Sequence, residues 1–249
     1  MNKFAVEAAL GVLANNMRIY VEAQMRFRAI FKVDREEAVN NVDRAFEAKL
    51  EALHTLYDVT RSEISWFDFG DTAVLIGMRN AIHHRDHPLF RSLNSAVCLD
   101  GEYSNADGAA LLLARHKMVG DPPIMMEHHF KLDDFRSRLD PDASSPHLLT
   151  FKHIVEARRR YKIIADGLAF EKVFEIGREN RFPAAQIYIE MLPVFISATS
   201  RVFKALLALG IEFQGFDAEV YKQAFTAELA VDLSAFTFRM LRLHGLHQT

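Results

Sequence analysis

The chain has 249 residues, half of them apolar and a quarter charged, with 11 Gly and 7 Pro, which excludes disordered, collagenous and low-complexity classes. The balance of 30 basic against 33 acidic residues gives a net charge of -3, too little cationic excess to bind nucleic acid by bulk charge alone. One cysteine, Cys98, cannot close an intrachain disulfide, and this points to a reducing, cytoplasmic setting.

In chain order, the first segment is apolar from Phe4 to Ala14 but carries Glu7 and lacks a small-residue cleavage site, so it reads as a helix and not as a leader. That helix is predicted over Lys3 to Phe31. The next is predicted over Arg35 to Val59, where Val39, Val42, Phe46, Leu50, Leu53 and Tyr57 recur at three- and four-residue steps. Asp34 supplies its N-cap, and Glu36 and Glu37 suit the positive end of the helix dipole. The short turn between the two makes them antiparallel neighbours. Trp66 and Phe67 anchor the entry to a third helix, which starts near Asp68 or Asp71 and runs toward Pro88.

From Asp86 to His147 glycines and prolines punctuate the chain, and ALLLARHKM and IMMEHHFKLDDF read as a short hairpin or as two short helices. Helix is predicted again after Ser145, through AAQIYIEMLPVFISATSRVFKALLALG with a kink at Pro193, and through AEVYKQAFTAELAVDLSAFTFRMLRLHG. The expected fold class is therefore all-α, a single elaborated antiparallel helical bundle over 1–249. Its motif helix lies at about 68–87 and its C-terminal helical part at about 147–247. No stretch is long and apolar enough to predict a membrane span.

The third helix ends in Gly77-Met78-Arg79-Asn80-Ala81-Ile82-His83-His84-Arg85-Asp86-His87, a guanidinium, an amide and three imidazoles close together. Histidine exchanges protons near neutral pH and arginine grips phosphate with a planar fork, a pairing suited to phosphodiester cleavage by the ribose 2'-hydroxyl. At about 100° per residue, Asn80, His84 and His87 share a flank of a continued helix. Arg79 lies about 140° from His84 and about 40° from His83.

Arg79, Asn80 and His84 match the signature of the HEPN superfamily, Arg followed after four to six residues by His, and the first 90 or so residues resemble it. The resemblance implies an all-helical endoribonuclease without metal or cofactor, acting on RNA as a homodimer whose protomers pool their motifs. Arg79 would stabilise phosphate charge, His84 would act as general acid or base, Asn80 would hold the motif, and His83, Arg85 and His87 would support it. A toxin or antiphage role, with an antitoxin or other protein partner, also follows from the family. Some members only bind, so a silent helical module binding RNA, a nucleotide or a protein is the alternative. The same spacing recurs at Arg239 with His244 and at Arg242 with His247, without the small polar neighbour.

A competing chemistry is metal binding. His83 and His87 stand four apart, and Glu127, His128 and His129 offer further ligands, but no Glu stands between the first pair to serve as a metalloprotease base. The basic clusters Arg26, Arg28, Lys32, Arg35 and Arg158, Arg159, Arg160, Lys162 read as solvated helix flanks. The phenylalanines of the C-terminal part read as core.

Overall fold

A computed structural model of the protein describes residues 1–84, 87–99, 108–120, 122 and 126–243. It opens with two long helices, α1 (Lys3–Phe31), at the predicted bounds, and α2 (Arg35–Thr60), one residue longer than predicted. The Asn2 side chain accepts from the Ala5 amide at 3.4 Å, and Asp34 accepts from the Glu37 amide at 2.9 Å, so each helix begins where a short acceptor satisfies a first-turn N–H. Val6, Leu10, Leu13 and Met17 of α1 share a buried core with Val42, Phe46, Leu50 and Leu53 of α2.

Helix α3 (Gly70–His83) follows. Trp66 is buried before it, its indole N–H donating to Thr60 Oγ1 at 3.1 Å, while its carbonyl accepts from Thr72 Oγ1 at 2.5 Å. The anchor expected of Trp66 is thus a hydrogen-bonded clasp from the end of α2 to the first turn of α3. The short helix α4 (Leu93–Cys98) is capped by Ser92. Beyond it come β1 (Ala110–Met118), β2 (His129–Lys131), α5 (Leu132–Leu139), α6 (Ile154–Gly167), α7 (Phe170–Glu179), β3 (Ile187–Glu190), α8 (Leu192–Ala208), α9 (Phe216–Gln223) and β4 (Val231–Arg242).

The four strands form one mixed sheet, order β2-β3-β1-β4, and this overturns the all-α expectation. β1 runs parallel to β3, with Leu112 opposite Ile187, and antiparallel to β4, whose register shifts between His116 and Lys117; β2 runs antiparallel to β3. ALLLARHKM is therefore a strand, and HFK is a strand leading into α5, but β3 lies between them, so they make no hairpin. The apolar run of β1 is continuous because the sheet is covered on both faces at β1 and β3, whereas β4 is largely exposed. Leu112 and Ala114 join the main helical core, whereas Leu111 and Leu113 pack with Leu93, Tyr188 and Leu243.

Two further expectations fail with it. IYIE is β3, and Pro193 sits in the first turn of α8, where a missing N–H costs no hydrogen bond, so it starts a helix instead of kinking one. SAFTFRMLR belongs to β4, where cross-strand pairing with β1 overrides local helix propensity.

The N-terminus of α3 crosses α6 at backbone contact. A Cβ added to Gly70 would stand 2.8 Å from the Ile163 carbonyl oxygen and 3.1 Å from Gly167 Cα, both main-chain atoms with little room to yield. Gly70→Ala is expected to lower stability by about 1–3 kcal/mol, the usual cost of overpacking, read as a lower urea midpoint at unchanged slope. An unchanged midpoint would show that the crossing adjusts.

Candidate functional site at the end of helix three

α3 ends at His83 and His84 is its C-cap, with φ −93° and ψ 57°, its N–H donating to the Asn80 carbonyl at 3.1 Å. The helix that would have carried Asn80, His84 and His87 on one flank stops short of His87. Instead the residues closest in helical angle come together. Arg79 donates from Nε and Nη2 to Glu51 Oε2 at 2.8 and 2.6 Å, and His83 Nδ1 stands 3.4 Å from Glu51 Oε1. One carboxylate of α2 thus holds both the guanidinium and an imidazole of α3. Arg79 Nη1 also donates to Asn80 Oδ1 at 3.2 Å.

His84 is exposed beside His83, ring centroids 5.2 Å apart and nearly perpendicular. His87 lies apart from the cluster: its Nδ1 accepts from the Leu89 amide, and its ring stands 6.4 Å from that of His147. Arg85, like His244 and His247, falls outside the described residues. An open groove of about 540 Å³ runs between α2 and α3, lined by Arg44, Glu47, Glu51, Arg79, Ile82 and His83. Asn80 instead lines a separate cavity of about 320 Å³ between α3 and α6, with Phe67, Leu139 and Tyr161. Arg158, Arg159, Arg160 and Lys162 each pair with an acid, Asp142, Glu156 or Asp166, as solvated flanks do.

The residues weighed as metal ligands are dispersed. His128 is buried against Phe46, rings parallel at 4.0 Å, while His83 is exposed and tied to Glu51. Among the described residues no three of His, Cys, Asp and Glu gather as a metal site would require.

A second polar group, not singled out in the sequence, lies inside the protein. Lys49 of α2 is buried, its Nζ 3.7 Å from the Tyr20 ring centroid and 4.4 Å from those of Phe46 and Phe195. Glu190, at the end of β3, accepts at Oε1 from the His128 and Leu192 amides at 3.0 and 2.8 Å. Burial pushes its carboxyl up to about 7, against the pull of those two N–H groups. The signal for Lys49 was present: it falls three residues after Phe46 and four before Leu53, on the apolar stripe itself.

No family model, curated protein or solved structure matches the chain.

The buried imidazoles set a pH dependence. Burial drives His116 down to about 4 and His129 to about 3, in the latter case with help from Arg239 and Arg115. His128 is driven well below its ordinary value by burial, then by Lys49 and His129. Below the ordinary imidazole value the unfolded chain takes up protons that the folded chain refuses, so each contributes a stability present above about pH 6.5 and lost as the pH falls. Glu190 acts oppositely between about 7 and its ordinary range, since its folded form protonates first. Three imidazoles outweigh one carboxyl. The thermal midpoint is expected to fall between about pH 7 and pH 5, at roughly 1–2 kcal/mol per imidazole, and His116→Leu to flatten that slope. A midpoint that rises on acidification would reverse the assignment.

Proposed function

We propose that the end of α3 and the adjoining flank of α2 form a surface that binds RNA and cleaves it without a metal ion, in the cytoplasm and as a homodimer. The observation that carries this reading is the convergence of Arg79 and His83 on Glu51 at the mouth of an open groove, with His84 exposed beside them. A guanidinium for the phosphate and imidazoles for the proton transfers stand on one accessible face. The HEPN resemblance of Arg79, Asn80 and His84 supports the same chemistry.

In this scheme the 2'-hydroxyl attacks the adjacent phosphorus, an imidazole takes its proton, and the leaving 5'-oxygen receives one. The products are a cyclic phosphate and a 5'-hydroxyl. Arg79 meets the phosphate once Glu51 yields. The Glu51 side chain is 45 % accessible and that of Arg79 18 %, so the pair is open to water mainly from the carboxylate side.

That same pair favours a second reading, a module that binds without cutting, because Glu51 occupies the guanidinium that catalysis needs. Cleavage assays in excess chelator separate the two. Products ending in cyclic phosphate, reduced about 10²–10⁴-fold by His84→Ala or His83→Ala, are expected of the nuclease, and the more damaging substitution identifies the working imidazole. Intact RNA that nevertheless binds would leave the module.

Glu51→Gln keeps the shape of the side chain and removes its charge. It is expected to tighten RNA binding about two- to fivefold at low salt, measured by fluorescence anisotropy. Weaker binding would mean that Glu51 positions Arg79 for the ligand instead of competing with it.

A further inference from the structure

In the sheet order β2-β3-β1-β4, β4 is an outer strand, and at 12 residues it is the longest of the four. Natural proteins protect such edges with short strands, prolines, lysines or bulges. The stretch Phe236–Arg242, reading FTFRMLR, contains no Pro, Gly or Lys. The register shift of β4 falls before it, at residues 233–235, where Asp232 Oδ1 accepts from the Ser234 amide and the Ser234 carbonyl accepts from Lys172. From Phe236 onward the pairing with β1 is regular.

The end of that ladder shows which backbone groups face outward. The Leu243 amide donates to the Ala109 carbonyl at 2.8 Å, so Leu243 turns its polar groups toward β1. By the alternation of an antiparallel pair, Leu241, Arg239 and Thr237 do the same. The N–H and C=O groups of Phe236, Phe238, Met240 and Arg242 point away from β1, and among the described residues they have no partner. The side chains of these four share one face of the strand. Phe236 packs against the main core, but Phe238 and Met240 are 36 % and 54 % exposed. An open edge and an apolar row thus coincide on the same residues.

We propose that β4 pairs antiparallel with β4 of a second copy, about a twofold axis at Phe238, so that two four-stranded sheets become one. An antiparallel strand is its own complement about a dyad, each donor of one copy meeting an acceptor of the other. A foreign strand would cover this edge and leave its own outer edge open, whereas a second copy closes both. With the dyad at Phe238, Phe236 lies opposite Met240 of the partner and Phe238 lies opposite itself, joined by about six N–H···O bonds. A dyad at Arg239 sets two guanidinium groups face to face, which is unfavourable. One at Thr237 runs into the irregular residues 233–235, and one at Met240 gives up the Phe238 pair. The contact supplies the homodimer of the nuclease reading, yet it uses no residue of the Glu51 groove.

The test is the oligomeric state, followed by sedimentation across a dilution series. The intact chain is expected to sediment at twice its own mass at high concentration. Met240→Pro removes an outward N–H and no bond to β1, so it is expected to weaken the dimer about tenfold or more, with the urea midpoint of the dilute monomer unchanged. Arg239→Pro, which removes a bond to β1, is expected to lower that midpoint. In a Cys98→Ser background, Phe238→Cys is expected to form a covalent dimer on mild oxidation, because facing residues stand about 5.5 Å apart at Cα, within disulfide reach. Arg242→Cys, far from its own copy about this dyad, is expected to stay monomeric on denaturing gels. A wild-type chain that remains monomeric at every concentration overturns the proposal. So does a dimer in which Phe238→Cys fails to cross-link or Arg242→Cys cross-links as well. RNA cleavage is not part of the readout, so a monomer that cuts RNA would sink this contact and leave the nuclease site standing.

Discussion

The carboxylate of Asp71, wholly enclosed at the start of α3, is the constraint from which the rest of the architecture follows. It accepts from the Ser197 hydroxyl at 2.7 Å, from Nη2 of Arg201 at 3.2 Å and from the amide of Thr72 at 2.8 Å. An interior charge persists only where such partners meet it, so the first turn of α3 has one place to sit, against α8. Arg201 adds a second hold by lying over the Phe69 ring at 3.8 Å. The other end of α3 is tied to α2 by the Glu51 pair, whose carboxylate is half exposed where that of Asp71 is enclosed. The Arg and His residues thus lie at the end of α3 whose carboxylate partner meets water.

α2 serves two polar environments of opposite character. Glu51 turns toward α3 in a groove open to water, and Lys49, two residues earlier and about 200° around the helix, turns into the interior. Phe46 contributes to the interior side twice, as a face of the Lys49 cage and as the ring on which His128 stacks. Glu190 completes that interior by holding two backbone amides at the junction of β3 and α8. The sheet and the helical hairpin are thus joined by polar groups as well as by the shared apolar core.

What the sequence revealed depended on how local the information was. Helices α1 and α2 were legible nearly to the residue, because an apolar stripe and a capping side chain lie within the segment they specify. The clustering of Arg79 with His83 was likewise implicit in helical angle, though the Glu51 that joins them was not, being 28 residues away. β3 and β4 were misread for the converse reason. The apolar residues of IYIE run directly into those of α8, and the alternation of Phe236, Phe238 and Met240 gives a period-two signal that Ala, Leu and Arg around it obscure. What makes these segments strands is pairing with β1, information held elsewhere in the chain. Lys49 stood visibly on the apolar stripe, but its surroundings come from α1 and α8, which spacing within α2 cannot report.

The parallel pairing of β1 with β3 bears on how the molecule assembles. Leu112 must find Ile187 across a stretch that holds α5, α6 and α7, so a long loop closes before the central ladder gains its first hydrogen bond. The turn between α1 and α2 closes over a few residues and buries apolar surface at once. That difference in loop length favours forming the helical hairpin early and the sheet late, an order that pulsed hydrogen exchange is expected to register as amide protection in α2 ahead of β1. Until the strands meet, the apolar run of β1 is unshielded, which makes the newly synthesised chain most vulnerable to self-association before β3 has emerged.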